Sequence, residues 1–341
     1  MRILSFKGGI HPHDNKSLSA NHPIKLLNPG DELIYPLSQH IGAPAKAIVA
    51  KGDHVLVGQI IANGNGMISA NVASSVSGTV KTIDLRLAPT GFFVDCIVIT
   101  NDHQYQSIPE YNTTNDYHNY SSMQIRELIA HAGIVGLGGA GFPSAIKNTP
   151  KDDDSIKYVI INGAECEPSL TSDYRRMMDN PEKVVEGLKI VVGILPKAKG
   201  CSWSEDNKPD CIARMKELAA GVPNIEVKEL MTKYPQGGER TLIYAVTGRE
   251  INSSMLPADA GCIVDNVETI CSIYDAVALG RPIMKRIFTV TGKGINRPAH
   301  FEVCTGTDMA ELIDAAGGRK EHAGTVISGG PMTGFSDYDL H

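Results

Sequence analysis

The pattern of apolar and polar positions changes period along this chain and divides it into three stretches. Over residues 30–102, short runs alternate apolar with polar residues and are cut by Gly-Asp and Ser-Gly turns, as in 49–61 and 68–80. Period-two alternation between tight turns predicts short antiparallel strands. Residues 106–120 are polar and aperiodic and read as a linker. Beyond them the period lengthens. Ile125, Leu128 and Ile129 share one face of a helix that Ser121 and Ser122 can cap and Gly133 can end. Residues 158–161 read as a short buried strand that stops at Asn162 and Gly163. Pro181 and Pro209 each open a helix, a position proline tolerates. The first runs through Val184, Leu188 and Val191, and the second through Ile212, Met215 and Leu218. Residues 225–230 alternate like a strand, and 240–246 and 267–279 read as helices. In the last stretch, 286–292 and 325–328 read as strands and 308–316 as a short helix.

These elements predict an α/β multi-domain chain. Residues 1–105 form a β-rich unit, 106–120 a linker, 121–284 an α/β domain and 285–341 a small mixed unit. Strands alternating with helices imply a mostly parallel sheet that takes ligands at the carboxyl ends of its strands. The first unit resembles lipoyl/biotinyl-like barrel-sandwich domains, in which a lysine on a hairpin tip carries the prosthetic group. Residues 71–75 occupy the matching turn and contain no lysine, which points to a structural or docking role rather than a swinging arm.

Composition narrows the class. The chain has 341 residues, 42% apolar and 21% charged, as in ordinary globular proteins. No apolar run approaches the roughly 18 residues of a membrane span, and the first seven residues lack the apolar core of a signal peptide. A net charge of −6 argues against a nucleic-acid partner. The seven cysteines form no C-x-x-C pair, so they read as reduced thiols without a local zinc or iron–sulfur signature. His11-Pro12-His13-Asp14 has no further clustered ligand nearby and reads as a surface or interface segment; no metal site is expected.

The chemistry gathers in four clusters. The first runs from Gly136 to Lys147 and sets four glycines, Gly136, Gly138, Gly139 and Gly141, within six residues. Glycines leave backbone N–H groups bare, successive bare N–H groups form an anion nest, and Lys147 adds charge. Lys147 is followed by Asn148, so this is not a Walker loop. Gly136, Gly138 and Gly141 satisfy the dinucleotide spacing, but a helix precedes them where a strand is required. A packed turn between helices is the alternative. The second cluster is Asn162 to Pro168, with Glu165 and Glu167 just past a strand. Two carboxylates spaced by two in an extended run point the same way. They suit hydroxyl recognition, acid–base work with one raised pKa, or loop capping. The third is Tyr234 to Thr241, where the paired Gly237 and Gly238 precede a helix start and again offer an anion site. The fourth is Asp265 to Thr269, whose Asp265 and Asn266 also suit helix caps.

In order and spacing, these four clusters resemble the flavoprotein subunit of respiratory complex I. A closer likeness is to the C subunits of the Rnf ferredoxin:NAD+ oxidoreductases, through Gly8-Gly9-Ile10-His11-Pro12, the run from Pro36 to Pro44, Gly163 to Pro168 and Asp206 to Pro209. The resemblance implies an N-terminal barrel-sandwich domain, a Rossmann-like FMN/NADH domain and a β-grasp soluble-ligand-binding domain. It implies FMN on Gly136, Gly138, Gly139 and Gly141, with Lys147, Asn162, Asn266, Thr269, Gly237 and Gly238 around it. It implies NADH against Phe142, Glu165, Glu167 and Glu239. The implied activity is hydride exchange between NAD(H) and FMN, with no catalytic side chain, and single-electron exchange with iron–sulfur clusters. The implied partners are the membrane and ferredoxin-like subunits of the complex, at the cytoplasmic side of the bacterial membrane. Soluble flavoproteins of the same architecture, such as a cobalamin reductase, and a scaffold subunit with a vestigial pocket are the alternatives. Two positions depart from the complex I pattern: Leu137 replaces an arginine and Ala164 an aspartate. The resemblance also implies a C-terminal part with C-x-x-C-x-x-C repeats for 4Fe-4S clusters. No such repeats occur before His341, so the chain reads as a fragment lacking that part.

Overall fold

The computed structural model describes residues 3–88 and 91–337. Its first surprise is the N-terminus. Leu4 bridges to Leu230 and Ile10 to Tyr234, so the leading segment lies along the α/β domain and not in the β-rich unit. Strand β1 (Ile24–Leu27) then joins a sheet made otherwise of residues near 300. The β-rich unit proper begins with β2 (Glu32–Pro36), β3 (Lys46–Ala47), β4 (His54–Val55) and β5 (Ile60–Asn63). It continues with β6 (Val72–Ala73), β7 (Gly78–Leu87) and β8 (Phe93–Asn101). Two antiparallel sheets result, β2-β8-β7-β4 and β3-β5-β6. The apolar alternation becomes one shared core that includes Leu33, Tyr35, Val55, Ile61, Val80, Ile97 and Ile99. The lysine-free tip packs against the rest of the chain: Asn71 Nδ2 donates to His131 O at 3.0 Å, and Ser75 Oγ to Thr305 O at 2.9 Å. Residues 106–120 are tacked down at both ends, by Ile108 N to Val57 O at 3.1 Å and Asn115 N to Ala278 O at 2.9 Å.

Helix α1 (Ser122–His131) starts on a capping box between Ser121 and Gln124. It ends at Gly133, whose φ of 66° and contact with the Asn71 backbone leave no room for a side chain. Next come α2 (Ser144–Lys147), β9 (Tyr158–Gly163), α3 (Ser172–Asp179) and α4 (Pro181–Gly193). They are followed by β10 (Lys199–Glu205), α5 (Pro209–Ala219) and β11 (Ile225–Leu230). The domain closes with α6 (Glu239–Thr247), β12 (Cys262–Asn266) and α7 (Val267–Leu279). The sheet is parallel, in order β11-β10-β9-β12. It is buried on both faces. Val159 and Ile161 enter a core with α4 and α7, while Ile160 meets Trp203, Leu242 and Val264 on the other side. The order reverses beside β9, since β10 and β11 lie on one flank and β12 on the other. Such a switch point leaves a crevice at the strands' carboxyl ends.

The third unit contains β13 (Lys285–Val290), β14 (Ala299–Cys304), α8 (Met309–Ala315) and the hairpin β15 (Val326–Ser328) with β16 (Phe335–Asp337). Its sheet is β1-β14-β13, with β1 parallel to β14. His300 on β14 ties three parts of the chain together. Its Nδ1 lies 2.9 Å from His22 O and its Nε2 2.8 Å from Thr171 Oγ1. Burial lowers its pKa to about 4.

Candidate functional site

The glycine-rich segment is a hairpin-like loop. Val135 bridges to Pro143, and Gly136 N donates to Phe142 O at 2.9 Å. Residues 137–140 form the turn, and Gly138, Gly139 and Ala140 are exposed. A side chain is barred at Gly138, where a Cβ would stand 2.8 Å from Asn266 Cβ. At Gly139 a Cβ would meet nothing within 4 Å, so the turn opens onto free space. Gly141 has a φ of 67°, and a Cβ there would crowd Gln39 and His40 of the β-rich unit at 3.2 Å. The loop's start is fastened to α7, because Leu137 N donates to Thr269 Oγ1 at 2.9 Å.

Around this loop the strand ends converge. Asn162 at the end of β9 and Asn266 at the end of β12 are direct register partners. Asn266 caps α7 by accepting from Glu268 N at 2.8 Å and donates to Asp173 Oδ2 at 2.7 Å. Asn162 Nδ2 donates to Gly237 O at 2.8 Å, and Gly238 is the N-cap residue of α6. Lys147 ends α2. Its Nζ donates to Val264 O at 2.8 Å and lies 3.4 Å from Glu239 Oε1 and 3.9 Å from Asp265 Oδ1. Asp265 is buried, and that burial raises its pKa against the pull of Lys147. The fold thus brings Gly136, Gly138, Gly139, Gly141, Lys147, Asn162, Gly237, Gly238, Glu239, Asn266 and Thr269 to one end of the sheet. Phe142 is half-buried at the loop's return.

The two glutamates of the second cluster do not point together. Glu165 has a φ of 51°, which ends the extended run the sequence suggested. Its carboxylate turns to α3 and accepts from Asp173 N at 2.7 Å and Tyr174 N at 3.3 Å. Glu167 is taken by the turn between β15 and β16, accepting from Met332 N at 3.1 Å and from the Thr333 hydroxyl. Buried lysines hold the backbone of this run. Lys16 Nζ donates to Glu165 O at 2.8 Å, Glu167 O at 3.0 Å and Leu170 O at 2.6 Å. Lys208 Nζ donates to Ala164 O at 2.7 Å.

Three contributors were not anticipated. Asp173 lies on α3, which has too little apolar periodicity to read as a helix. Burial first and the neighbouring Glu165 second push its carboxyl well above the usual range. Lys16 and Arg286 act across 149 residues or more, beyond any local pattern. Arg286 Nη2 on β13 donates to Leu137 O at 2.6 Å.

The residues present fit a flavin mononucleotide. An open turn of bare amides, a lysine and two strand-end amide side chains gather at one end of the sheet. The Gln236 amide and Asp265 Oδ1 are buried beside it without hydrogen-bond partners. Fold and site define an α/β nucleotide-binding domain between two smaller units.

Comparison with known proteins agrees. Residues 4–104 match the RnfC barrel sandwich hybrid domain, 129–275 the Nuo51 FMN-binding domain and 287–336 the SLBB domain. The chain is 43% identical to the C subunit of a proton-translocating ferredoxin:NAD+ oxidoreductase complex of Clostridium ljungdahlii, covering 99% of this chain and 74% of that protein. It is 42% identical to the Na+-translocating counterpart of Acetobacterium woodii, covering 98% and 75%. Identity to the C subunit of the ion-translocating oxidoreductase complex of Pseudomonas aeruginosa is 39%, over 99% of this chain and 44% of that protein. The fold is similar to an NAD+-reducing NiFe hydrogenase chain (TM-score 0.51, 24% identity, 60% of this chain and 40% of that one). The chain belongs to the RnfC family, the C subunits of ion-translocating ferredoxin:NAD+ oxidoreductase complexes.

Proposed function

We propose that this chain is the NADH- and FMN-handling subunit of such a complex, peripheral to the cytoplasmic face of a bacterial membrane. Among the described residues no helix is long and apolar enough to cross a membrane. When bound, FMN supplies the redox chemistry, exchanging hydride with NAD(H) and single electrons with the iron–sulfur clusters of the assembled complex. The protein's part is placement. The free amides of Gly138, Gly139 and Ala140 take the phosphate end, Gly136 and Gly141 shape the turn that presents them, Lys147 adds its charge nearby, and Asn162, Asn266 and Thr269 fix the nucleotide at the switch point. Gly237 and Gly238 leave room along it. Phe142 and Glu239 border the face left to NADH. Glu165 and Glu167 serve that face once a nucleotide displaces their present partners.

The observation that carries this reading is the register pair Asn162 and Asn266 beside an open glycine turn. These two strand-end amides stand where the strand order reverses. The test is anaerobic titration of the apo chain. FMN should bind stoichiometrically and turn the protein yellow, and NADH should bleach it. A chain that stays colourless with excess FMN is the scaffold alternative, and this reading is then wrong.

A further inference from the structure

Arg286 leaves the third unit and reaches the backbone of the glycine loop, 149 residues away in sequence. One guanidinium N–H is spent on the Leu137 carbonyl oxygen. Arginine offers five donors in a planar fork. Ordering so long a side chain for one exposed hydrogen bond and a contact with the exposed Phe288 ring, 5.6 Å from its centroid, costs about as much freedom as the two return. A brace alone therefore accounts poorly for its position. Its surroundings are charged but not matched to it. Glu268 is committed to Arg176, at 2.6 and 2.8 Å, and Asp173 accepts from Asn266. Among the described residues no carboxylate forms an ion pair with Arg286. The side chain reaches solvent yet is crowded by protein. That crowding lowers its pKa, while Glu268 and Asp173 pull it back up.

Two further features meet at the same point. The residue whose carbonyl Arg286 grips donates its own amide to Thr269, in the first turn of the 13-residue helix α7. The positive end of that helix, the bare amides of the turn and a fork of unspent N–H donors thus converge. Leu137 itself carries no charge, so the loop has no cation of its own before Lys147, which is occupied by Val264 O and Glu239.

We infer that Arg286 is a phosphate-recognising residue, lent by the third unit to hold the phosphomonoester of the mononucleotide on the glycine loop. This rests on the FMN reading above. It also gives the third unit a role in binding, since that unit then completes the flavin site from across a domain boundary.

The experiment compares FMN with riboflavin, which lacks the phosphate, using flavin-fluorescence quenching by the apo chain. Wild type, Arg286→Gln and Arg286→Lys are measured, each checked for an unchanged thermal midpoint. Arg286→Gln should raise the FMN Kd by about 10- to 100-fold, the range for a charge-assisted hydrogen bond, and leave the riboflavin Kd unchanged. Arg286→Lys should recover part of the loss, and the salt dependence of FMN binding should flatten in Arg286→Gln. Equal losses for both flavins would make Arg286 a brace for the loop and overturn the assignment. No loss for either flavin also overturns it, as does a tenfold weaker NADH affinity with FMN untouched. A wild-type chain that binds neither flavin overturns the FMN reading and the assignment with it.

Discussion

Two loops meet at one end of the sheet, one between α1 and α2 and the other after β9, and they are built in opposite ways. In the glycine loop the turn at 138–140 is exposed and opens onto free space at Gly139. In the run after β9, buried lysines grip the carbonyls of Ala164, Glu165, Glu167 and Leu170. One loop keeps its hydrogen-bonding capacity in reserve. The other has spent it in fixing Glu165 and Glu167. A buried carbonyl without a donor is costly, whereas an exposed amide waits at no cost because water serves it. The contrast separates residues that bind from residues that place.

The contrast can be broken most forcefully at Lys16. Replacing it with Met leaves three carbonyls without their donor and should lower unfolding stability by about 3 kcal/mol, read as a lower urea midpoint. A loss under about 0.5 kcal/mol would show that the lysine clamp is incidental. His300 sits against Thr171 at the end of the same run. Its folded pKa, about 4, is below the ordinary 6.5. The unfolded chain therefore takes up a proton first as pH falls, and stability drops between about pH 6.5 and 4. Against a His300→Gln variant, the wild type should lose about 2 kcal/mol more between pH 7 and 5. Parallel pH curves would contradict this.

On the open loop the effect should appear in binding rather than in folding. Gly139→Ala adds a methyl where no protein atom lies within 4 Å, so it projects into the space left for the ligand and should weaken FMN by more than about tenfold, or 1.4 kcal/mol. Its thermal midpoint should barely move, because the turn is solvent-facing. A large fall in midpoint with FMN affinity intact would reverse the distinction drawn here. Glu165→Gln should have the smallest effect. It weakens the acceptor that caps α3 and should cost about 1 kcal/mol, visible as faster amide exchange at Asp173 and Tyr174.

Local signals were legible in the sequence, and long-range ones were not. Helices α1, α4, α5 and α7 follow from apolar spacing plus Ser121, Pro181, Pro209 and Asn266 at their starts. Strand β10 escaped notice because Ser202, Ser204 and Glu205 are buried in it, which removes the apolar signature. Burial raises the Glu205 pKa to about 7. Helix α3 escaped because its inward face carries Arg176, neutralised by Glu268 from 92 residues away. Strand β12 runs directly into α7 with no turn to mark the boundary. At the site, glycines and strand-end amides could be read because each is a local motif. The positive φ at Glu165 could not, and it decides where two glutamates point.

Strand β1 completes its sheet only beside β14, whose residues 300–303 pair with residues 24–27. During synthesis those early residues have no mate until β14 has left the ribosome. Assembly is thus gated by a part made much later, and a shortened product ending before residue 299 would leave an unpaired edge exposed to neighbouring chains.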